Sequence, residues 1–125
     1  MTPMVVTVPA QEKWVLVLRM AASGAGALFD VPVDVMEDLS VAIDESCDLL
    51  LHQDYTAETI TLRCEPLPDG LHLSLTAQEG ARRLEEEKAD PDVARLIIQT
   101  LVREVDLDRD ETGVHGVRMI LPAGL

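Results

Sequence analysis

Met36-Glu-Asp-Leu-Ser-Val-Ala-Ile-Asp-Glu-Ser-Cys-Asp-Leu-Leu-Leu-His52 is the stretch on which the reading of this chain turns. Met36, Leu39, Ile43, Ser46 and Leu50 recur at helical spacing and build one buried face. Asp38, Ala42, Glu45, Leu49 and His52 share a neighbouring face, so Glu45 stands on a face that is not plain solvent. The pattern predicts a helix from Val33 to about His52, opened by the break at Pro32.

Upstream, Val5-Val6-Thr7-Val8 predicts a short strand closed by Pro9. Gln11 to about Leu28 then predicts a helix with Trp14, Leu18, Ala21 or Ala22, Ala25 and Leu28 on one side. Its Ser23-Gly24-Ala25-Gly26 run implies either close packing against another backbone or a local weakening. Downstream, Thr59 to Glu65 and Leu71 to Thr76 alternate, placing Ile60, Leu62, Cys64, Leu71, Leu73 and Leu75 inward. Pro66-Leu-Pro-Asp-Gly70 joins them as a longer hairpin loop. Gln78 to Asp90 is polar, and its Glu85-Glu86-Glu87 run reads as a solvated segment or a contact for a basic partner. Pro91 after Asp90 opens a helix to about Val105. Asp106 to Arg109 and His115 to Leu121 form a terminal hairpin around Glu111-Thr112-Gly113. These elements predict an α/β (α+β) two-layer sandwich, with helices packed on one face of a mixed, mainly antiparallel sheet. At 125 residues and 47% hydrophobic, the chain reads as one domain over residues 1–125 with a single core.

The formal net charge is −13, from ten basic and twenty-three acidic residues. Such a surface repels phosphate backbones, and one Trp, one Tyr and one Phe leave little to stack on bases, so direct nucleic-acid binding is excluded. A basic protein partner is instead attracted. No apolar run approaches the ~20 residues that cross a bilayer. Residues 1–11 lack a basic start and an apolar core of leader length, so the expected location is cytoplasmic. Cys47 and Cys64 read as core thiols, and His52, His72 and His115 make no zinc-like spacing with them.

Trp14-Val-Leu-Val-Leu-Arg19, Ser23-Gly24, Phe29, Glu37-Asp38-Leu39 and Val41-Ala-Ile-Asp-Glu-Ser-Cys47 together resemble the anti-sigma-factor serine kinases, which carry the histidine-kinase-like (gyrase-type) ATPase fold. Leu96 to Val105 resembles the helix after that family's glycine-rich lid, and Gly116 to Leu121 its final strand. In the family the second helix carries a Glu-x-x-x-Asn box. The resemblance implies Glu45 as general base.

Four residues on from Glu45 stands Leu49, where the family has the asparagine that binds magnesium, and a leucine offers no oxygen to a hard cation. Asp48 is the nearest carboxylate, but one helical step turns it by about 100°. The adenine-binding Asp-x-Gly element corresponds to Gln78-Glu79-Gly80, with the glycine kept and Gln78 in place of the aspartate. The lid glycines correspond to Asp92-Val93-Ala94-Arg95, residues poorly suited to approach a phosphate.

The resemblance therefore implies an anti-sigma-factor-like regulator of a partner-switching pathway. It would bind a sigma factor or its antagonist protein, form a homodimer through its first helix, and bind ATP weakly or not at all, with no cofactor. The alternative is an active serine/threonine kinase that uses Mg-ATP, with Glu45 as base and Asp48, Gln78 and Gly80 at the nucleotide. A second role stands beside this for Glu45, as a helix carboxylate paired with Arg19 or Arg95.

Overall fold

The computed structural model describes residues 3–82 and 88–123, apart from the Arg82 side chain. Strand β1 (Met4–Pro9) leads through a 3-10 turn (Glu12–Trp14) into helix α1 (Val15–Leu28) and helix α2 (Val33–Leu51). The long strands β2 (Tyr55–Leu67) and β3 (Gly70–Arg82) follow, then helix α3 (Pro91–Gln99) and strands β4 (Glu104–Asp110) and β5 (Gly113–Leu121). The five strands form one sheet in the order β1-β2-β3-β5-β4. Every pairing is antiparallel, which corrects the expected mixed sheet: each neighbouring pair runs in opposite directions. Among the described residues the architecture is α+β, with three helices and a five-stranded antiparallel sheet, consistent with a two-layer sandwich.

The core lies between the layers. Ile60, Leu62, Cys64, Leu71, Leu73 and Leu75 are all buried, as the alternation requires, and meet Leu39, Ile43, Leu49 and Leu50 of α2. Each such aliphatic side chain contributes about 1.5–3 kcal/mol on burial. The small residues of α1 serve close packing: Ala22, Ala25 and Gly26 are buried, and a Cβ at Gly26 would lie 2.8 Å from Met36 Sδ of α2. Gly24 faces open space. Leu28, expected on the same face as Leu18 and Ala25, is 77% exposed although those two are buried, while Trp14 packs half-buried against the core from the 3-10 turn. Asp30, at φ 55°, ends α1 in the left-handed conformation common after helices.

Two boundaries differ from expectation. Both central strands run beyond their alternating stretches, because pairing between β2 and β3 continues past the apolar segments to Tyr55 and Arg82. The loop between them shrinks to Pro68-Asp69, with Gly70 at φ 142° where a Cβ would collide with Leu121 O. The last helix stops at Gln99 rather than Val105, since Val102 and Val105 turn into the core and β4 begins. Along β4, exposed Glu104, Asp106 and Asp108 alternate with Val105 and Leu107. Glu85, Glu86 and Glu87 lie outside the described residues. Among the described residues no helix is long and apolar enough to cross a membrane.

Candidate functional site

Helix α2 places Glu45 and Asp48 along one groove of about 470 Å³ between itself and α1, with Lys13, Arg19 and Asp44 on its walls. Glu45 is half-buried, Asp48 exposed. Arg19 Nη1 donates to Asp44 Oδ2 at 3.3 Å, so the arginine expected beside Glu45 engages its neighbour instead. Arg95 lies on α3. At the end of the groove His52 Nε2 stands 3.6 Å from Asp48 and 3.7 Å from Glu12. These are exposed pairs, worth about 0–1 kcal/mol each. Chemically the groove offers carboxylates that can bind a cationic group, and at its end Glu12, Asp48 and His52 have ligand atoms within 4.8 Å of one another.

Leu49 is absent from the groove because it points into the core, where it is fully buried. Its backbone carbonyl, at the end of α2, accepts from Gln53 Nε2 at 3.0 Å as well as from the His52 N–H. The helix therefore turns Glu45 towards the groove and residue 49 away from it.

Gln78 and Gly80 belong to a different part of the molecule. Ala77 is buried among the inward residues of β3, so Gln78 turns to the opposite, uncovered face, where Thr59 Oγ1 donates to its Oε1 at 3.3 Å. Gly80 sits where the β2–β3 register shifts. A Cβ there would lie 2.8 Å from Thr56 O, so the close strand approach itself demands glycine. Asp92, Val93, Ala94 and Arg95 form the first turns of α3, which Asp90 caps by accepting the Asp92 N–H at 2.9 Å. The structure thus brings Glu45 and Asp48 together, and places Gln78 on the far face of the sheet from them.

A second polar cluster escaped the sequence reading. His115 Nε2 lies 2.8 Å from both Asp110 Oδ1 and Thr112 Oγ1, Nδ1 lies 3.9 Å from Glu79 Oε2, and the ring stacks on Tyr55 at 4.3 Å between centroids. Hydrogen bonds from the Thr112 hydroxyl and backbone N–H, and from His115, hold the Asp110 carboxyl down to about 2. Burial raises the Tyr55 phenol well above its ordinary value, with Glu79 and Asp110 adding to the rise, and its hydroxyl donates to Val114 O at 2.6 Å. Glu79, Asp110 and His115 have the spacing of a cation site. Of these residues only Thr112, in the expected turn Glu111-Thr112-Gly113, gave a local signal.

No protein-family model matches the chain. No curated protein matches it significantly either.

Proposed function

We propose that this protein is a nucleotide-poor relative of the anti-sigma serine kinases, a cytoplasmic regulatory module that holds a sigma factor or its antagonist protein. The observation that carries the reading is Leu49: the residue four positions after Glu45 is fully buried and apolar, where the family has a magnesium ligand. The element order, two helices after the first strand and a third before the final hairpin, supports the histidine-kinase-like fold. Asp92 to Arg95, wound into α3, supply no glycine loop for phosphate.

The net charge of −13 favours a basic partner and a salt-sensitive encounter. Leu16, Val17 and Met20, exposed on α1, suit the homodimer that the resemblance implies. The competing reading is a working kinase, with Glu45 drawing the proton from a partner serine and Mg-ATP held by altered residues. Its support is that Glu45 opens onto the α1–α2 groove. Titration with ATP and ADP, with and without magnesium, separates the two. The regulatory reading expects no nucleotide binding at millimolar concentration, together with binding of a purified sigma factor or antagonist. Micromolar, magnesium-dependent ATP binding overturns it.

A further inference from the structure

The face of the sheet turned away from the helices carries a ladder of opposed side chains. Arg63 of β2 lies directly opposite Ser74 of β3, and Ser74 directly opposite Arg118 of β5. Directly opposed residues share a face with Cβ atoms about 4.5–5.5 Å apart, so an arginine stands on either side of one serine across three adjacent strands. All three line a single cleft of about 320 Å³.

The cleft is not simply basic. Glu65 stands beside Arg63 at 3.3 Å, and Asp106 is the register partner of Arg118. Anion-binding and cation-binding groups are therefore adjacent rather than at opposite ends. Arg118 is engaged by Asp108 at 3.3 Å. Both arginine pairs are largely exposed, so each is worth about 0–1 kcal/mol and gives way to a planar anion of better geometry. Glu104 adds a third carboxylate to the lining, and the three together reject a polyanion such as a triphosphate.

We propose that this cleft binds the zwitterionic head of a free α-amino acid. The carboxylate lies over Ser74, accepting from its hydroxyl and from the guanidinium forks of Arg63 and Arg118. The ammonium, one carbon away, donates to Glu65 or Asp106. A ligand carboxylate that takes over Arg63 frees Glu65 from it, and only a ligand that also carries an ammonium compensates the freed acid; a lone ammonium gains nothing from the arginines. The site is independent of the regulatory reading, since it uses the face opposite the helices.

The test is titration of the isotope-labelled full chain with L-alanine, followed by amide NMR. Signals of Ser74, Arg118 and their strand neighbours shift saturably. Arg63→Gln and Arg118→Gln, both at exposed positions, each weaken the affinity by about tenfold or more. Arg95→Gln, on α3, leaves it unchanged. Acetate and methylammonium, titrated separately, bind at least about tenfold more weakly than L-alanine. The absence of a saturable shift up to the solubility of L-alanine overturns the proposal. So does acetate or inorganic phosphate matching L-alanine at the same signals, which would mark a plain anion site.

Discussion

The Gln53 side chain occupies the space that any residue larger than glycine would need at position 113: a Cβ on Gly113 would lie 2.2 Å from Gln53 Oε1. That oxygen accepts the Val114 N–H at 3.0 Å. The amide nitrogen donates to the carbonyls of Leu49, His52 and Ala89. One buried amide thus ties the end of α2 to the segment before α3 and to the β4–β5 turn. Gly113→Ala adds a collision to left-handed strain at φ 123°, and is expected to cost about 2–3 kcal/mol in urea unfolding. Gln53→Ala takes the side-chain acceptor from the Val114 N–H, while the Leu49 and His52 carbonyls keep their backbone donors, and is expected to cost about 1–3 kcal/mol. Unchanged midpoints for both would show that the clasp carries no stability.

Leu49→Asn puts the family's ligand type at position 49 but buries an amide in the core. It is expected to lose about 2–5 kcal/mol of stability. No magnesium-dependent nucleotide binding should appear, because residue 49 faces away from the groove. Leu49→Met, which keeps volume and polarity, should cost less than about 1.5 kcal/mol. Recovery of Mg-ATP binding by the asparagine variant would show that a single lost ligand separates this chain from a kinase.

Cys47 and Cys64 are buried free thiols. Burial pushes each up to about 12, with Asp44 adding to the rise at Cys47. The thiolate is the reactive form, so the native protein should be inert to a disulfide thiol reagent at pH 8. In denaturant both thiols should titrate. Rapid native labelling of either would show frequent opening of the α2–sheet core.

Asp110 gives a signed pH dependence. Its folded value of about 2 lies below the ordinary carboxylate value of about 3.9. Its contribution to stability is therefore present above about pH 4 and is lost as pH falls through about 2. Thr112→Val removes the hydroxyl that donates to Asp110 Oδ1 at 2.7 Å, and should raise the carboxyl midpoint in a carbon-detected NMR titration. A midpoint that does not move would assign the depression to the backbone N–H and His115 alone.

Helix α2 was legible because its information is local: Leu39, Ile43, Ser46 and Leu50 repeat within one element, and all four are buried. The terminal hairpin was legible through Thr112-Gly113, and the start of α3 through Asp90-Pro91. The C-terminal limit of α3 was not, since Leu96 to Val105 is apolar enough to continue a helix, and pairing with β5 decides where β4 begins. The Glu45–Asp48 groove could be anticipated from one helix. The His115 cluster could not, because it gathers Tyr55, Glu79 and Asp110 from three strands, with His115 on β5 at the register shift between β4 and β5. Gln53 was equally silent, since its partners Ala89 and Val114 are distant in the chain.

Strand β4 ends the sheet on one side, with Glu104, Asp106 and Asp108 along its exposed face. A sheet edge offers unpaired backbone groups to any other strand, and a row of like charges keeps a second copy from docking there. That protection is electrostatic and therefore weakens as salt rises. As the solution approaches the sequence pI of about 4.4, the general repulsion between molecules fades as well. The acidity that keeps this protein dispersed near neutrality is therefore also what makes its colloidal behaviour sensitive to mild acid, with edge-to-edge strand growth the natural route to precipitation.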